Sequence, residues 1–476
     1  DFENRVEGKD KEAFEKAIEA FKKADTIRFT SRITNEEALI LQKLKEKYGY
    51  KLLNEDARKY QRFLESYATM SGKTLFNGSL ESLADADGVI VMGSRILTDN
   101  PAVRYHITMA SRRHNARVVY MHPMEEKRMQ NVVTQFVKYE VGTEEGVLAM
   151  LAKTLLEGKI DVKKIESFLN GLDEGYLSAE SNVGEEELEE IRKSLIRCRR
   201  ITLVIGEDCI NHPRAEQIAR LAALFERFGG ISVLPVAPKT NSLGVALICD
   251  LDEEAGSCTV GYNAPGDFVL SSLGDGDLDM PALNQQEGTF TIADKRVVPT
   301  NVALPYKGYI LNDLANALGL DAKLTVDYTA ALPEEKGFKP LEFDDLPNHY
   351  TNSGEEVRGY RLETKKIRRV KTVVEKIGKA SAMEGEIAYR CNPVLQFNEF
   401  TMRAHEIAAE AKLHASPVKL EALGLNEGDK VRVTLPGGTV ELEVEADKFI
   451  GGEIVMVPDF DPAVEADRLF ASNRFQ

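Results

Sequence analysis

The sequence has 476 residues, 43% of them hydrophobic and 29% charged, and a formal net charge of −16 at pH 7. Its length suggests about three domains. The acidic balance argues against a nucleic-acid partner, because phosphate backbones are repelled. No apolar run reaches the ~18 residues of a membrane-spanning helix, and the charged first residues are not a signal peptide. Five scattered cysteines without C-x-x-C spacing favour reduced thiols and a cytoplasmic location.

The first elements in chain order are a helix, a short strand and a second helix. Apolar residues at helical spacing predict an amphipathic helix over residues 11–24, and alternation at 27–29 predicts a strand. Thr34 lies three residues before Glu37, which is the spacing of a capping box, and Gly49 is placed to end the helix. A helix start preceded by Thr30, Ser31 and Arg32 is a candidate anion site. The same pattern also fits an ordinary strand–helix unit.

The next segment predicts a βαβ unit. Gly88–Met92 forms a buried-strand run, Pro101 opens a helix, and Arg117–Met121 forms a second strand. Ligands in parallel sheets bind at the carboxyl ends of the strands, which here means Gly93 to Asn100. One glycine turn is weak support, because the pattern G-x-G-x-x-G does not occur.

Later segments repeat the strand–helix pattern and then change character. A strand is predicted at 201–206, a helix that ends at Gly229-Gly230 follows it, and another helix covers 311–319. The last ~90 residues carry short alternating strands separated by glycine turns, which predicts a small β-barrel.

Few residues suggest chemistry by themselves. Asp208, Cys209 and His212 cluster after a strand, but such a trio occurs often by chance and lacks a fourth ligand. Neither G-x-S-x-G nor a Walker A motif appears. The residues alone therefore indicate no catalytic residue and no metal ligand.

Several ordered motifs resemble the molybdopterin oxidoreductases. Residues 31–44, SRITNEEALILQKL, resemble the serine- and threonine-rich turn that precedes N-E and a Q-K-L helix in that family. Within the family the segment is most similar to the molybdopterin-oxidoreductase-like subunit of bacterial NADH-quinone oxidoreductase, which is respiratory complex I. Residues 141–144 are similar to P-G-T-D, residues 286–290 to E-G-T-F, and residues 420–433 to the entry of the C-terminal barrel. Residues 396–401 stand where catalytic relatives have a T-x-T-like segment that contacts the cofactor.

The resemblance implies an α/β fold in which interleaved, doubly wound α/β domains precede a small C-terminal β-barrel. It places the first part of a discontinuous α/β domain at 1–78 and an inserted Rossmann-like domain at 79–194. The second part of the first domain is expected at 195–325, a linker at 326–385 and the barrel at 386–476.

The sequence also departs from the family where the cofactor would bind. Tyr60, in the predicted loop 54–60, stands at the position of the metal-binding cysteine or selenocysteine, and no cysteine precedes Cys198. The strand that should end in D-P-R ends in His122-Pro123-Met124, and Ile292 and Lys295 replace an asparagine and a glycine. No cofactor contact is therefore expected. The residues that would line the vestigial cleft are Ser31, Arg32, Thr34, Asn35, Tyr60, Gly93, Ser94, Asn100, Gly142, Glu287 and Thr289.

The resemblance leads to one functional expectation and two alternatives. The expectation is a cofactor-free scaffold region of this complex I subunit, which binds other peripheral-arm subunits and is cytoplasmic, held near the membrane by the complex. Iron–sulfur clusters are expected only on an N-terminal region that this sequence, which lacks an initiator Met, does not contain. The first alternative is a formate-dehydrogenase-like subunit that binds molybdopterin guanine dinucleotide. The second is a binding module that retains a nucleotide.

Overall fold

The computed structural model describes residues 8–367, 373–380, 383, 385–391, 410–461, 463–464 and 469–472. The chain forms two compact units, which are described separately. Unit 1 comprises residues 1–65, 72–75 and 237–368, and unit 2 comprises residues 66–71, 76–236 and 369–476. The segment 396–401, which the resemblance aligns with a cofactor-contacting segment, lies outside the described residues.

The helices alternate with strands through most of the chain. In chain order they are α1 (Lys11–Lys23), α2 (Asn35–Tyr48), α3 (Glu55–Ser71), α4 (Leu80–Ala84), α5 (Ile96–Asp99), α6 (Pro101–His114), α7 (Glu144–Leu156), α8 (Lys163–Asn170), α9 (Glu174–Ser181), α10 (Glu185–Leu195), α11 (Glu207–Asn211), α12 (Ala215–Gly229), α13 (Ser242–Ile248), α14 (Leu311–Ala317) and α15 (Pro417–Leu423). None of the described helices is long and apolar enough to cross a membrane.

The strands are short. In chain order they are β1 (Thr26–Phe29), β2 (Lys51–Leu53), β3 (Gly88–Met92), β4 (Arg117–Met121), β5 (Glu125–Glu126), β6 (Gln135–Val137), β7 (Ile201–Ile205), β8 (Ser232–Pro235), β9 (Thr259–Tyr262), β10 (Phe268–Ser271), β11 (Leu278–Asp279), β12 (Gly288–Thr291), β13 (Arg296–Thr300), β14 (Asn348–Tyr350), β15 (Glu356–Arg358), β16 (Tyr360–Arg361), β17 (Glu386–Cys391), β18 (Lys412–Ala415), β19 (Lys430–Leu435), β20 (Gly438–Ala446), β21 (Ile450–Gly451), β22 (Val455–Pro458) and β23 (Leu469–Ser472).

Unit 1 is built on a parallel sheet with the strand order β11-β10-β9-β1-β2. Its core takes side chains from both ends of the unit's sequence, such as Ile27 and Leu41 with Val260 and Leu314. Residues of the predicted linker, among them Tyr328, are buried in the same core. The predicted domain boundaries themselves stay predictions.

The start of α2 confirms the capping box. Thr34 accepts a hydrogen bond from the Glu37 N–H, the Glu37 carboxylate accepts one from the Thr34 N–H, and Gly49 ends the helix in the left-handed region. These local bonds satisfy donors that every helix start leaves open.

The prediction that residues 54–60 form a loop is wrong, because this segment begins helix α3. The Asn54 side chain accepts a hydrogen bond from the Ala57 N–H at 3.1 Å, as an N-cap residue does. Glu55 and Asp56 then lie in the first turn, where the helix dipole favours acids. Tyr60 is therefore a helix residue.

Unit 2 contains a second parallel sheet with the order β6-β4-β3-β7-β8. The predicted strands at 88–92 and 117–121 are confirmed and pair in register, Gly88 with Arg117. The chain runs outward from β3 in both directions, so its topological switch point lies between β3 and β7. Crevices for ligands form at the carboxyl ends of strands at such a point.

The C-terminal part of unit 2 confirms the predicted barrel as a nearly closed sheet with the order β19-β20-β18-β22-β17-β23. Alternate residues of β19, such as Val431 and Val433, point into its core. The barrel also joins the parallel-sheet part of unit 2 through the short antiparallel pair of β21 with β5, in which Ile450 faces Glu126.

Candidate functional site

In unit 1 the candidate residues gather where β1 leads into α2. Ser31 is buried and accepts a hydrogen bond from the Asn54 side chain at 3.1 Å, whereas Arg32 is half-buried. The Ser31 carbonyl accepts one from the Asn241 N–H at 3.1 Å. Thr30 Oγ1 is a buried atom without a hydrogen-bond partner among the described residues. The predicted anion site is thus occupied largely by the protein's own contacts.

Strand β12, which carries the E-G-T-F motif, packs directly on the start of α2. A β-carbon at Gly288 would lie 2.7 Å from Thr34 Cγ2, so a side chain at this position would collide with the helix. Asn35 donates to Thr289 Oγ1 at 3.0 Å and accepts from the Thr291 hydroxyl at 3.1 Å. Of the residues proposed to line the cleft, Thr34, Asn35 and Thr289 therefore meet, whereas Glu287 is exposed.

Two buried acids complete this cluster. The Glu36 carboxylate accepts hydrogen bonds from the Thr289 N–H at 2.7 Å and from the hydroxyls of Thr289 and Thr329, each at 2.8 Å. Glu37 accepts a hydrogen bond from the Tyr262 hydroxyl. Burial raises the pKa of both carboxyls, against the opposing effect of these hydrogen bonds. The cluster is a closed set of donors and acceptors rather than a surface that awaits a ligand.

Tyr60 lies inside unit 1 with none of its surface exposed. Burial raises the pKa of its phenol, so the phenolate form that a metal would bind is disfavoured. The buried Cys249 thiol offers no substitute: it donates to the Ala38 carbonyl at 3.4 Å, and burial raises its pKa. These residues of unit 1 do not fit a molybdenum centre.

In unit 2 the predicted ligand-binding turn follows β3. Gly93 has φ of 73°, and a β-carbon there would lie 2.7 Å from Cys209 Sγ, so only glycine suits the turn. Ser94 is completely buried. Within the described part of the chain, Ser94 Oγ and Asn100 Nδ2 are buried without hydrogen-bond partners. Such atoms are costly unless something bonds to them.

The sequence did not predict the residue that dominates this crevice, Arg95. Its side chain is 1% exposed and forms an ion pair with Glu126, which is equally buried. The same guanidinium contacts the Met456 sulfur in barrel strand β22. Arginine is almost never fully buried unless it is paired, but no local pattern marks such a pair.

The barrel approaches the crevice at a second point. Asp208, in helix α11 after β7, accepts a hydrogen bond from the Tyr389 hydroxyl at 2.7 Å, and His122 Nε2 lies 3.2 Å from its other oxygen. Cys209 is buried beneath Gly93, and His212 faces the Gly142 carbonyl at 3.2 Å. The trio Asp208, Cys209 and His212 thus has separate contacts. The described residues contain no group of three or more His, Cys, Asp or Glu that could hold a metal ion.

Beyond Gly142, the start of α7 holds a buried acid. Burial raises the pKa of Glu144 to about 8 and lowers that of His212. Both shifts favour the neutral forms of the two groups, whose Oε2 and Nε2 atoms lie 3.6 Å apart. Glu144 Oε2 and the Tyr139 hydroxyl are buried without hydrogen-bond partners among the residues described. Gly142 thus lies beside Glu144, which the sequence did not select.

Two parallel sheets and a C-terminal barrel define an α/β protein. Residues 11–272 match the family model for molybdopterin oxidoreductase, and the chain belongs to that family. No curated protein matches the sequence.

Solved structures resemble the fold. Acetylene hydratase from Pelobacter acetylenicus aligns with 94% of this chain and 81% of its own, at 10% identity and a TM-score of 0.63. The formyltransferase/hydrolase complex from Methylorubrum extorquens, in complex with methylofuran, aligns with 63% of this chain and 93% of its own. Its 13% identity and TM-score of 0.43 make it only a distant likeness. The first likeness shows the fold alone.

Proposed function

We propose that this chain is the cofactor-free scaffold region of the molybdopterin-oxidoreductase-like subunit of NADH-quinone oxidoreductase. In this role it supports electron transfer from NADH to quinone by binding other peripheral-arm subunits of respiratory complex I. It carries out no redox step itself. The iron–sulfur clusters of the complete subunit belong to an N-terminal region outside this sequence, and the region is held at the cytoplasmic side of the membrane through the complex.

The observation that carries the proposal is the environment of Tyr60. The resemblance aligns it with the cysteine or selenocysteine that binds molybdenum in catalytic relatives. A completely buried phenol with a raised pKa is a core residue and a poor metal ligand.

The closed cluster at the start of α2 supports the same role. The side chains of Asn35 and Thr289, which belong to the family motifs, form hydrogen bonds with each other and with neighbours in unit 1. Ile292, in the position of the family's asparagine, has no polar side-chain atom with which to bond a cofactor.

The first test is metal and pterin analysis of protein purified from a host that makes the cofactor. We expect neither molybdenum nor tungsten, and no pterin fluorescence after oxidation. A catalytic molybdopterin enzyme from the same host is the positive control. Stoichiometric metal would contradict the proposal and make the chain a molybdopterin-dependent oxidoreductase, such as a formate-dehydrogenase-like subunit.

A second candidate is a module that has lost the metal but retains a nucleotide. The buried atoms without described partners on Ser94, Asn100 and Glu144 favour it, because Ser94 and Asn100 follow strand β3 at the unit 2 switch point and Glu144 begins helix α7. A ligand that binds only the native state raises its thermal stability. Guanosine nucleotides would then raise the Tm of the wild type. The same nucleotides should raise the Tm of Ser94→Ala or Glu144→Gln by less, or not at all.

The partner proposal has its own measurement. Co-expression with the other peripheral-arm subunits, followed by native mass spectrometry, should yield a stable complex. Retention of NADH-to-quinone activity by a complex assembled without residues 11–460 would contradict the scaffold role.

A further inference from the structure

The amino-terminal edge of the unit 2 sheet carries a dense group of arginines, although the whole chain has a net charge of −16. We call this group the arginine edge. It consists of the exposed residues Arg112, Arg113, Arg117, Arg197, Arg199 and Arg200.

The topology brings these residues together. Gly88, at the start of β3, pairs with Arg117 on one side and with Ile201 on the other. Neighbouring strands are ~4.8 Å apart, so Arg117 and Arg200 flank one short edge. Helix α6 ends at His114, and residues 115–116 connect it to β4. Helix α10 ends at Leu195, and residues 196–200 connect it to β7, so the remaining arginines lie at the same edge.

Helix C-termini account for only two of the six arginines. Cations favour helix C-termini, which explains Arg112 and Arg113 in the last turn of α6. Arg117 lies in a strand, however, and Arg197 and Arg199 lie in the connection from α10 to β7. Among the described residues, no ion pair involves the guanidinium groups of Arg112, Arg113, Arg117, Arg197 or Arg199.

The acids at this edge, Asp85 and Asp87, have local partners. Asp87 accepts hydrogen bonds from the N–H groups of Arg199 and Arg200 at 2.9 and 2.8 Å, so it fixes the loop on which both arginines are exposed. Arg200 Nε donates to the Asp85 carbonyl at 2.6 Å, and the Asp85 carboxylate lies 3.6 Å from His114 Nε2. The fixed loop presents Ile196, whose surface is 67% exposed, among the arginines.

We infer that the arginine edge is a docking surface for a carboxylate-rich face of a partner polypeptide. Guanidinium groups pair bidentately with carboxylates, and arginine around an exposed apolar residue is typical of protein interfaces. An anionic bilayer fits less well, since stable attachment needs more apolar area than Ile196 supplies and the chain's net charge opposes it. This inference does not depend on the scaffold proposal.

The test uses the full chain and a fluorescently labelled oligoglutamate peptide, with binding followed by anisotropy over a salt series. We expect salt-sensitive binding that Arg112→Gln/Arg113→Gln and Arg197→Gln/Arg199→Gln each weaken about tenfold. Arg112→Lys/Arg113→Lys keeps the charge but removes the planar guanidinium groups that bind carboxylates bidentately, so it should show an intermediate loss of affinity for the peptide.

The matched control is Lys163→Gln/Lys164→Gln, which removes the same charge from an exposed pair at the start of α8 in the same unit. It should bind the peptide as the wild type does. An equal loss in the control, or no peptide binding at low ionic strength, would overturn the inference. Tighter binding to phosphatidylglycerol vesicles than to the peptide, lost in the arginine variants, would also overturn it and indicate a membrane surface.

Discussion

The two parallel-sheet regions differ in how their buried polar atoms are hydrogen-bonded. In unit 1, Glu36 at the start of α2 accepts three hydrogen bonds from Thr289 and Thr329, and the capping box satisfies the helix start. In unit 2, the turn after β3 buries Ser94 Oγ and Asn100 Nδ2 without partners among the described residues. Both lie at the carboxyl ends of parallel strands. In unit 1 the buried acid Glu36 is fully engaged by hydrogen bonds, although Thr30 Oγ1 and Gln286 Oε1 near it lack partners among the described residues.

The difference concerns how a site is closed. Unit 1 uses short-range hydrogen bonds between residues of the family motifs. Unit 2 uses a barrel: Arg95 reaches Glu126 and Met456, and Asp208 reaches Tyr389. A barrel closure can leave polar atoms beneath it unsatisfied, because the covering surface is largely apolar at Ile450, Ile454 and Met456. Substitutions in each region test whether unit 1 is closed by local hydrogen bonds and unit 2 by the barrel.

The largest effect is expected from Arg95→Met in unit 2. The substitution leaves the Glu126 carboxylate buried without its partner, which costs roughly 3–5 kcal/mol. Hydrogen exchange of strands β17 and β22 should report this loss locally. Arg95→Met/Glu126→Gln should recover most of it, whereas Arg192→Met, which breaks a solvent-exposed pair with Glu189, should have a far smaller effect. A single-variant loss no larger than the Arg192 control would show that the pair does not hold the barrel.

Glu36→Ala should have the next largest effect, confined to unit 1. It removes the acceptor of three buried donors and leaves a cavity, for an expected loss on the order of 3 kcal/mol. The matched control is Glu46→Ala, exposed near the other end of α2, with a change within about 0.5 kcal/mol. Equal effects in the two variants, measured by hydrogen exchange of α2, would contradict the closed cluster.

Glu144→Gln tests the acid buried beside the unit 2 switch point. The folded pKa of about 8 exceeds the ordinary 4.5, so the folded state holds its proton more tightly than the unfolded state. Stability contributed by this group is therefore complete below 4.5 and is lost as pH rises to about 8. The variant stays neutral, so at the upper end of this range its free energy of unfolding should exceed that of the wild type by roughly 4 kcal/mol.

The measurement is Tm against pH for the wild type, Glu144→Gln and Glu140→Gln, whose carboxyl is exposed. Parallel curves for the wild type and Glu144→Gln would show that this carboxyl does not hold a raised pKa.

The sequence predicted what depends on neighbouring residues and missed what depends on distant ones. Periodicity and caps located α2, β3 and the barrel strands because those signals lie within a few residues of each other. The family alignment suggested a loop at 54–60, although the Asn54 cap and the first-turn acids already indicated a helix. Arg95 was missed because its partners lie 31 and 361 residues away.

Candidate site residues show the same limit. Thr34, Asn35 and Thr289 were selected from motifs and do meet, but Thr291 and Thr329, which complete their contacts, carry no comparable signal. Ser94 and Gly142 were selected as well. The acid beside Gly142 was passed over, since the sequence alone does not show that Glu144 is buried whereas Glu140 is exposed.

The smallest effects give the most direct comparison of the two regions, through removal of one hydroxyl from each. Thr34→Ala removes the N-cap acceptor of α2 and should cost about 1 kcal/mol. Ser94→Ala removes a buried hydroxyl without a described partner and should be neutral or stabilise by up to about 1 kcal/mol, because no hydrogen bond is lost. Opposite signs, measured by hydrogen exchange of α2 and β3, would support the two modes of closure. If Ser94→Ala destabilises the protein instead, the hydroxyl has a hydrogen-bond partner in solution. Because the barrel face is apolar, that partner would be water or a ligand bound in the crevice of unit 2.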